Sequence, residues 1–448
     1  MPSYHLRVGG YVESVLTRLD LRGVVDPTIG LPRPERLDVD VLESVRSTLE
    51  AVRTRGDAAL LDLTEQFDGV RLEQSRVPGA QIAAALAAQP PGVRSALEQA
   101  AERIRAHHVG QLRPEVTHDA DGVSIRSYWM PVDRVGCYVP GGRAAYPSTL
   151  LMTAVPAQVA GVGDVVVCVP PDRTTGQVAP VTLAAAAVAG IEEVHAVGGA
   201  QAVAALAYGT ESIRPVDVVC GPGNIYVATA KREVADTVGV AAAFAGPSEV
   251  VVIADGSSPA EFAAVDVILQ AEHGPDGLAW FITWDADVAE SVTVEIERLT
   301  RAAPRRTEIA ATLSRSGYVV LVDSPAAALA VANAVAPEHL ELQVADPAPL
   351  IASIRNAGAV FVGPWSTAAI GDYIAGPSHV LPTDGSARFA SALTVDDFVK
   401  QHHIVTVSGD GFDALAPAVE ALAEAEGLDA HAESVRLRRA ARRTGGWS

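Results

Sequence analysis

Between Asp38 and about His108 the apolar positions recur at helical spacing, with Val41, Val45, Leu49 and Val52 along one face. Arg55-Gly56-Asp57 marks a stop and a restart, so this stretch is predicted to be mostly helix. From Arg134 the pattern changes to short β-rich runs (Val135 to Val139, Val165 to Val169, Val194 to Val197, Asp217 to Cys220) that alternate with Ala-rich helices (Leu150 to Ala160, Ala179 to Ala189, Ala200 to Tyr208). Runs of four or five apolar residues separated by helices predict parallel strands buried on both faces, the doubly wound α/β pattern.

Between Ala241 and Ser248 the chain leaves this unit and a second α/β series begins. It comprises strands at Val250 to Ile253, Ala279 to Thr283, Gly317 to Val322 and Ala359 to Val362, with helices from Pro259 to His273 and on to Ala302 and Ala336 between them. The expected fold is therefore α/β, with two doubly wound parallel-sheet domains, a helical N-terminal part and a small C-terminal domain or arm. In residue ranges, 1–30 is an N-terminal arm, 31–134 with 245–381 the first α/β domain including the helical start, 135–244 the second α/β domain inserted into it, and 382–448 the C-terminal part. A chain of 448 residues exceeds what one core organises, which agrees with several domains.

Composition narrows the function. Hydrophobic residues make up 49 %, yet no run of roughly 18 apolar residues occurs, so no membrane span is expected. Met1 to Asp20 lacks a secretory pattern, and a cytoplasmic location is the expectation. A net charge of -20 repels phosphate backbones, which argues against nucleic acid as a partner; the basic Arg436 to Arg443 reads as the cationic end of a helix. Three scattered cysteines, Cys137, Cys168 and Cys220, exclude a disulfide framework and a thiolate metal knuckle, so any metal must sit on N and O ligands. Only Lys231 and Lys400 could form a Schiff base.

Three glycine loops fall at predicted strand ends: Pro140-Gly141-Gly142-Arg143, Gly198-Gly199-Ala200-Gln201 and Gly221-Pro222-Gly223-Asn224. Backbone amides at such helix starts favour phosphate groups, and three loops in one α/β unit point to a nucleotide site although none is GxGxxG. Four polar clusters interrupt the apolar background: Gln270-Ala-Glu-His273, Pro337-Glu338-His339-Leu340, Asp372 to His379, and Glu426 to His431. Gln270 and His273 lie three apart near a helix end, hence on one face. Glu338 and His339 are adjacent at a loop and can act as paired general bases. Asp372 and His379 flank a stiff Gly-Pro turn, and Gly246-Pro247-Ser248-Glu249 repeats its Gly-Pro-Ser element. Taken alone, the Gln270/His273 and Glu338/His339 pairs are more often a solvated helix end and a surface pair, whereas the Asp372 to His379 cluster fits a structural turn and a site about equally. His402 and His403 have no companion pattern and read as structural.

In combination these motifs carry a resemblance. Gly-Pro-Gly-Asn at 221 to 224, Ala-Gly-Pro-Ser-Glu at 245 to 249, Gln-Ala-Glu-His at 270 to 273, Pro-Glu-His-Leu at 337 to 340, Gly-Asp-Tyr-x-x-Gly-Pro-Ser-His at 371 to 379, and Gly427-Leu428 to His431 stand in the order found in histidinol dehydrogenases. The resemblance spans nearly the whole chain. It implies two incomplete Rossmann-like domains, oxidation of L-histidinol to L-histidine in the last steps of histidine biosynthesis with two NAD+, one zinc ion per subunit, and a homodimer of intertwined subunits. It also implies that Gln270, His273, Asp372 and His431 bind zinc, with His431 arriving from the other subunit through the C-terminal arm. Glu338 and His339 resemble the catalytic pair; Ser248, His379 and Glu426, with the zinc-binding set, would contact substrate; Tyr138, Gln201 and Asn224 resemble NAD positions.

Rival chemistries have distinct requirements. A thiol-dependent aldehyde dehydrogenase would need Cys220 as a thiolate, a zinc hydrolase would act without NAD, and a two-lobed solute-binding protein would be secreted. A related NAD-dependent dehydrogenase of another small polar alcohol is the nearest alternative, and the presence of His379, Glu426 and His431 favours histidinol.

Overall fold

The computed structural model describes residues 16–32, 39–142, 144–242, 248–274 and 277–444, which fall into two compact units. The first unit contains residues up to Gln111 together with Val132–Phe398, and it holds two parallel sheets.

One sheet has five strands, in the spatial order Glu193–Ala196, Asp164–Val169, Arg134–Tyr138, Val218–Cys220, Gly239–Val240, all parallel. This is a doubly wound half whose order reverses beside Arg134–Tyr138, and such sheets bind ligands at the carboxyl ends of their strands. The glycine loops lie at those ends. Helix Val39–Arg55 has the predicted apolar face, with Val45, Leu49 and Val52 fully or nearly buried. That face packs against the five-stranded sheet, in one core with Val166, Cys168, Val203 and Val219, and not against the second series with which the helical start was expected to belong. Helical periodicity marks the buried face without naming its cover, and the helices bury their apolar stripe on the sheet that follows them directly in the chain.

The other sheet has six parallel strands in the order Thr17–Asp20, Gly317–Leu321, Leu278–Thr283, Glu249–Ala254, His339–Gln343, Ala359–Val362. The edge strand Thr17–Asp20 comes from the segment expected to be an arm. Central strands are buried on both faces and accordingly continuous in apolar residues, as in Val250 to Ala254. His339–Gln343 is the exception, fully buried yet alternating. Its Leu340 and Leu342 join the core on one face with Val251, Ile253 and Trp280. His339, Glu341 and Gln343 therefore turn to the opposite face, the period-two geometry of a strand. Helix Ala260–Ala271 covers the sheet through Ala263, Ala264, Val267 and Ile268, in a core shared with Val250 and Val252.

The second unit consists of residues 112–131 and 399–448. Strand Val399–Val407 pairs antiparallel with Val123–Pro131, which pairs in turn with Val116–Ala120. Helices Gly409–Ala425 and Asp429–Arg443 follow, the second ending in the expected arginine-rich turn. Residues 382–398 remain in the first unit, while the second takes two strands from 112–131 that C-terminal composition does not announce. Among the described residues no helix is long and apolar enough to cross a membrane.

Candidate active site

The amino ends of two neighbouring strands in the six-stranded sheet carry a cluster of buried polar groups. Glu249 begins one strand and His339 the next, with Glu338 just before it; all three are buried. The pair expected at a loop thus sits at a strand start inside the protein, and an ion pair there is screened far less than on a surface.

His339 is held at both ring nitrogens. Nδ1 lies 2.9 Å from the carbonyl oxygen of Glu249 and 3.5 Å from Glu338 Oε2, and Nε2 lies 3.2 Å from Asp372 Oδ1. Because each nitrogen faces an acceptor, both carry hydrogen in this arrangement and the ring is an imidazolium. Burial opposes that charge, but the Glu338 carboxylate and then the Asp372 hydrogen bond outweigh it and hold the pKa well above the ordinary imidazole value. The other oxygen of Asp372 accepts from Gln270 Nε2 at 2.9 Å. Asp372 itself titrates low: burial would raise it, and the His339 hydrogen bond and charge prevail.

His379 bridges to the other sheet. Its Nδ1 donates to the Asp372 carbonyl at 2.9 Å, so Nε2 is left to accept from Thr149 Oγ1 at 2.9 Å. Burial keeps this ring neutral by lowering its pKa. Thr149 stands in the first turn of helix Pro147–Val159, which follows the carboxyl end of strand Arg134–Tyr138. The Tyr146 ring at that helix start lies edge-on to the His273 ring, with 6.5 Å between centroids. The carboxyl end of the five-stranded sheet thus faces the amino end of the six-stranded one, and the polar groups collect between them.

His273 follows the helix Ala260–Ala271 by two residues, its main-chain N–H returning to the Gln270 carbonyl at 3.3 Å. Its Nδ1 contacts Ser248 Oγ at 2.8 Å, which fixes the ring plane. The neighbouring Gly246-Pro247 lies outside the described residues, as does Arg143 of the first glycine loop.

The three glycine loops also meet. Tyr138 Oη accepts from Gly199 N at 3.3 Å, and a Cβ on Gly221, whose φ is +103°, would come within 1.9 Å of the Tyr138 carbonyl oxygen. Only glycine permits that approach. Lys231 is buried and donates to the Gly221 carbonyl at 2.8 Å and to that of Ala242 at 3.3 Å, so it anchors a loop and is no exposed amine. Asn224 caps helix Ile225–Glu233, its Oδ1 accepting from Tyr226 N and Val227 N at 3.1 Å each. Gln201 is buried on helix Gly199–Tyr208, and neither its amide oxygen nor its amide nitrogen has a hydrogen-bond partner among the described residues.

A metal must find its donors within this set. Among the described residues no group of three His, Cys, Asp or Glu stands at metal-holding spacing. A carboxamide oxygen is a further kind of donor, and here it matters: Gln270 Oε1 is buried beside Asp372 and has no hydrogen-bond partner among the described residues. An amide oxygen, a carboxylate and an imidazole oriented from its far nitrogen make a borderline N/O donor set, which fits zinc. Glu426 and His431 belong to the second unit and are exposed there. His402 and His403, expected to be structural, lie on exposed strand Val399–Val407, one stacked on Tyr128 and the other 3.1 Å from Ser127 Oγ.

Cys220 is fully buried, 3.6 Å from Cys137 Sγ, and its thiol is pushed well above the ordinary value by that contact and by burial. A thiolate nucleophile is not available there. Sequence reasoning missed Glu249, Thr149 and Asp384 N, which steady the site. The single carboxylate opening the apolar run Glu249–Ala254 was the legible sign of the first.

Comparison with known proteins places the chain in a family. The family model for histidinol dehydrogenase matches residues 31–439. The chain is 49 % identical over 398 residues to the histidinol dehydrogenase of Synechococcus sp., covering 88 % of this chain and 91 % of that one. It is also 49 % identical over 402 residues to that of Rhizobium meliloti, covering 89 % and 92 %. The crystal structure of histidinol dehydrogenase from Elizabethkingia anophelis superposes with a TM-score of 0.91 at 33 % identity, over 97 % of this chain and all of that one (100 %). The chain therefore belongs to the histidinol dehydrogenase family.

Proposed function

We propose that the protein oxidises L-histidinol to L-histidine through bound L-histidinal, a four-electron reaction using two NAD+ and closing histidine biosynthesis. The observation that carries this reading is the buried chain of contacts from Gln270 through Asp372 to His339 and Glu338. It joins metal-competent oxygens to a proton-transfer pair.

Zinc, when bound, would orient and polarise the substrate, and NAD+ would accept hydride. Gln270, His273 and Asp372 would hold the metal together with His431 of the partner subunit, brought by the C-terminal arm of an intertwined homodimer. Once Asp372 is committed to a cation, His339 loses one of the two carboxylates that keep it charged. Its Nε2 can then take the hydroxyl proton at each oxidation. Glu338, buried beside it, is positioned to activate the water that hydrates the aldehyde. Ser248, His379 and Glu426 would fix the substrate's polar ends, and keeping the aldehyde in a closed pocket prevents loss of a reactive intermediate.

The NAD assignment to Tyr138, Gln201 and Asn224 is supported by the convergence of their loops and by the unpartnered Gln201 amide. The deciding experiment follows NAD+ reduction by L-histidinol before and after chelation, and counts NADH per L-histidinol consumed. Two are expected, with activity lost on chelation and restored by zinc. A count of one would overturn the four-electron reading.

A further inference from the structure

Behind the candidate active site lies a second buried polar cluster for which the proposed chemistry has no use. Asp266, Glu341 and Gln343 are all at least 95 % buried, with relative exposures of 5 %, 1 % and 2 %. Gln343 Nε2 donates to Asp266 Oδ2 at 2.6 Å and reaches Glu341 Oε2 at 3.5 Å. Thr367 Oγ1 donates to Asp266 Oδ1 at 2.8 Å, and the main-chain N–H of Ala368 donates to Glu341 Oε1 at 2.8 Å.

The placement of these groups follows that of the site residues. Asp266 is one helical turn before Gln270 on helix Ala260–Ala271, so the two share a face. Glu341 is two residues beyond His339 on strand His339–Gln343, so these also share a face. Thr367 and Ala368 open helix Ala368–Tyr373, which carries Asp372. Each of the three elements therefore contributes both to the rear cluster and to the front.

The geometry points to Asp266 and Glu341 as positioning residues: they lock helix, strand and short helix together so that Gln270, His339 and Asp372 meet at hydrogen-bond distance. Two buried carboxyls cannot both stay charged this close, and Glu341 is the protonated member, pushed well above the usual carboxylate range by burial and by Asp266. Its proton then serves Asp266, while its Oε1 serves Ala368 N. A glutamine keeps these two contacts, with Nε2 toward Asp266 and Oε1 toward Ala368, and gives up only the long 3.5 Å contact from Gln343. An asparagine at 266 does not, because it turns a donor toward the Gln343 amide or the Thr367 hydroxyl.

The inference rests on reading Gln270 and Asp372 as metal-binding residues, and its test uses the full-length protein. Zinc affinity is measured by competition with a chromophoric chelator, and kcat and KM with L-histidinol and NAD+. Glu341→Leu is expected to lower zinc affinity roughly 10- to 100-fold, as loss of supporting contacts does. Its kcat should fall on the order of 100-fold, the effect of a misplacement near 1 Å, with KM for NAD+ unchanged. Glu341→Gln should restore both to within about threefold. Thr367→Val, a milder isosteric change, should lower zinc affinity in the same direction and Thr367→Ser should recover it. Wild-type affinity and kcat in folded Glu341→Leu would overturn the inference. So would equal damage from Leu and Gln, or, should the Leu variant not fold, unchanged zinc binding by Thr367→Val. A wild-type protein that neither binds zinc nor oxidises L-histidinol removes the functional reading instead, and with it the role of the cluster.

Discussion

Glu249 and Glu338 clasp each other's main chains: Glu338 Oε2 accepts from Glu249 N at 2.8 Å, and Glu249 Oε2 accepts from Glu338 N at 3.3 Å. The exchange ties the starts of two adjacent strands, and Asp384 N adds a second donor to the Glu249 carboxyl at 3.0 Å. Burial pushes the Glu249 carboxyl up to about 8, with Asp384 and Glu338 adding to the rise while the main-chain donors pull against it.

A pH dependence of stability follows. Between about 4.5 and about 8 the unfolded chain has released this proton and the folded protein still holds it, so folding stability declines as pH rises. One such group contributes a slope of about 1.4 kcal/mol per pH unit, which ends above the folded pKa. Urea unfolding at intervals from pH 5 to 8 should give a shallower decline for Glu249→Gln than for the wild type. Parallel slopes would show that Glu249 is ionised throughout.

Replacing His339 by Asn or Glu338 by Gln should separate chemistry from binding. Removing a general base typically lowers turnover about 10²- to 10⁴-fold. Zinc content and KM for NAD+ should stay near the wild-type values, because neither side chain is assigned to hold those groups. A His339→Asn enzyme with unchanged kcat would place the base elsewhere.

Gln270→Ala removes the buried amide oxygen that has no hydrogen-bond partner among the described residues, and leaves the His339–Asp372 contact in place. Zinc affinity should fall by at least tenfold, as loss of even a supporting group does. In the metal-free protein the change should lower Tm only modestly. Undiminished zinc binding would exclude this residue as a ligand.

Much of this is legible in the sequence. The α/β class comes from apolar runs too long and too continuous to be half-exposed, and the site motifs from polar groups breaking those runs. The helical start goes to the wrong sheet because periodicity shows which face of Val39–Arg55 is buried but not what covers it. The same limit hides Asp266 and Glu341, since a carboxylate on a buried face is revealed only when its partners from distant segments are known. The alternation His339-Leu340-Glu341-Leu342-Gln343 does hold a clue. A strand polar at every second position yet central in a parallel sheet must aim those groups at one another.

Gln201 and Asn224 test the nucleotide reading from opposite sides. Asn224 caps a helix, so Asn224→Ala should lower stability by about 1 kcal/mol whatever binds there, and a raised KM for NAD+ would be measured against that loss. Gln201 caps nothing. Among the described residues both polar atoms of its buried amide lack hydrogen-bond partners, a state that is unfavourable by about 1 to 3 kcal/mol per group unless a ligand satisfies it. Gln201→Leu is close in size and removes the unsatisfied amide. It should leave Tm unchanged or raise it, while weakening NAD+ binding measured by calorimetry about tenfold, the equivalent of one lost hydrogen bond. A variant that is less stable and binds NAD+ as the wild type does would mean that the amide serves the fold, and the cofactor contact would then have to come from another group on the same loops.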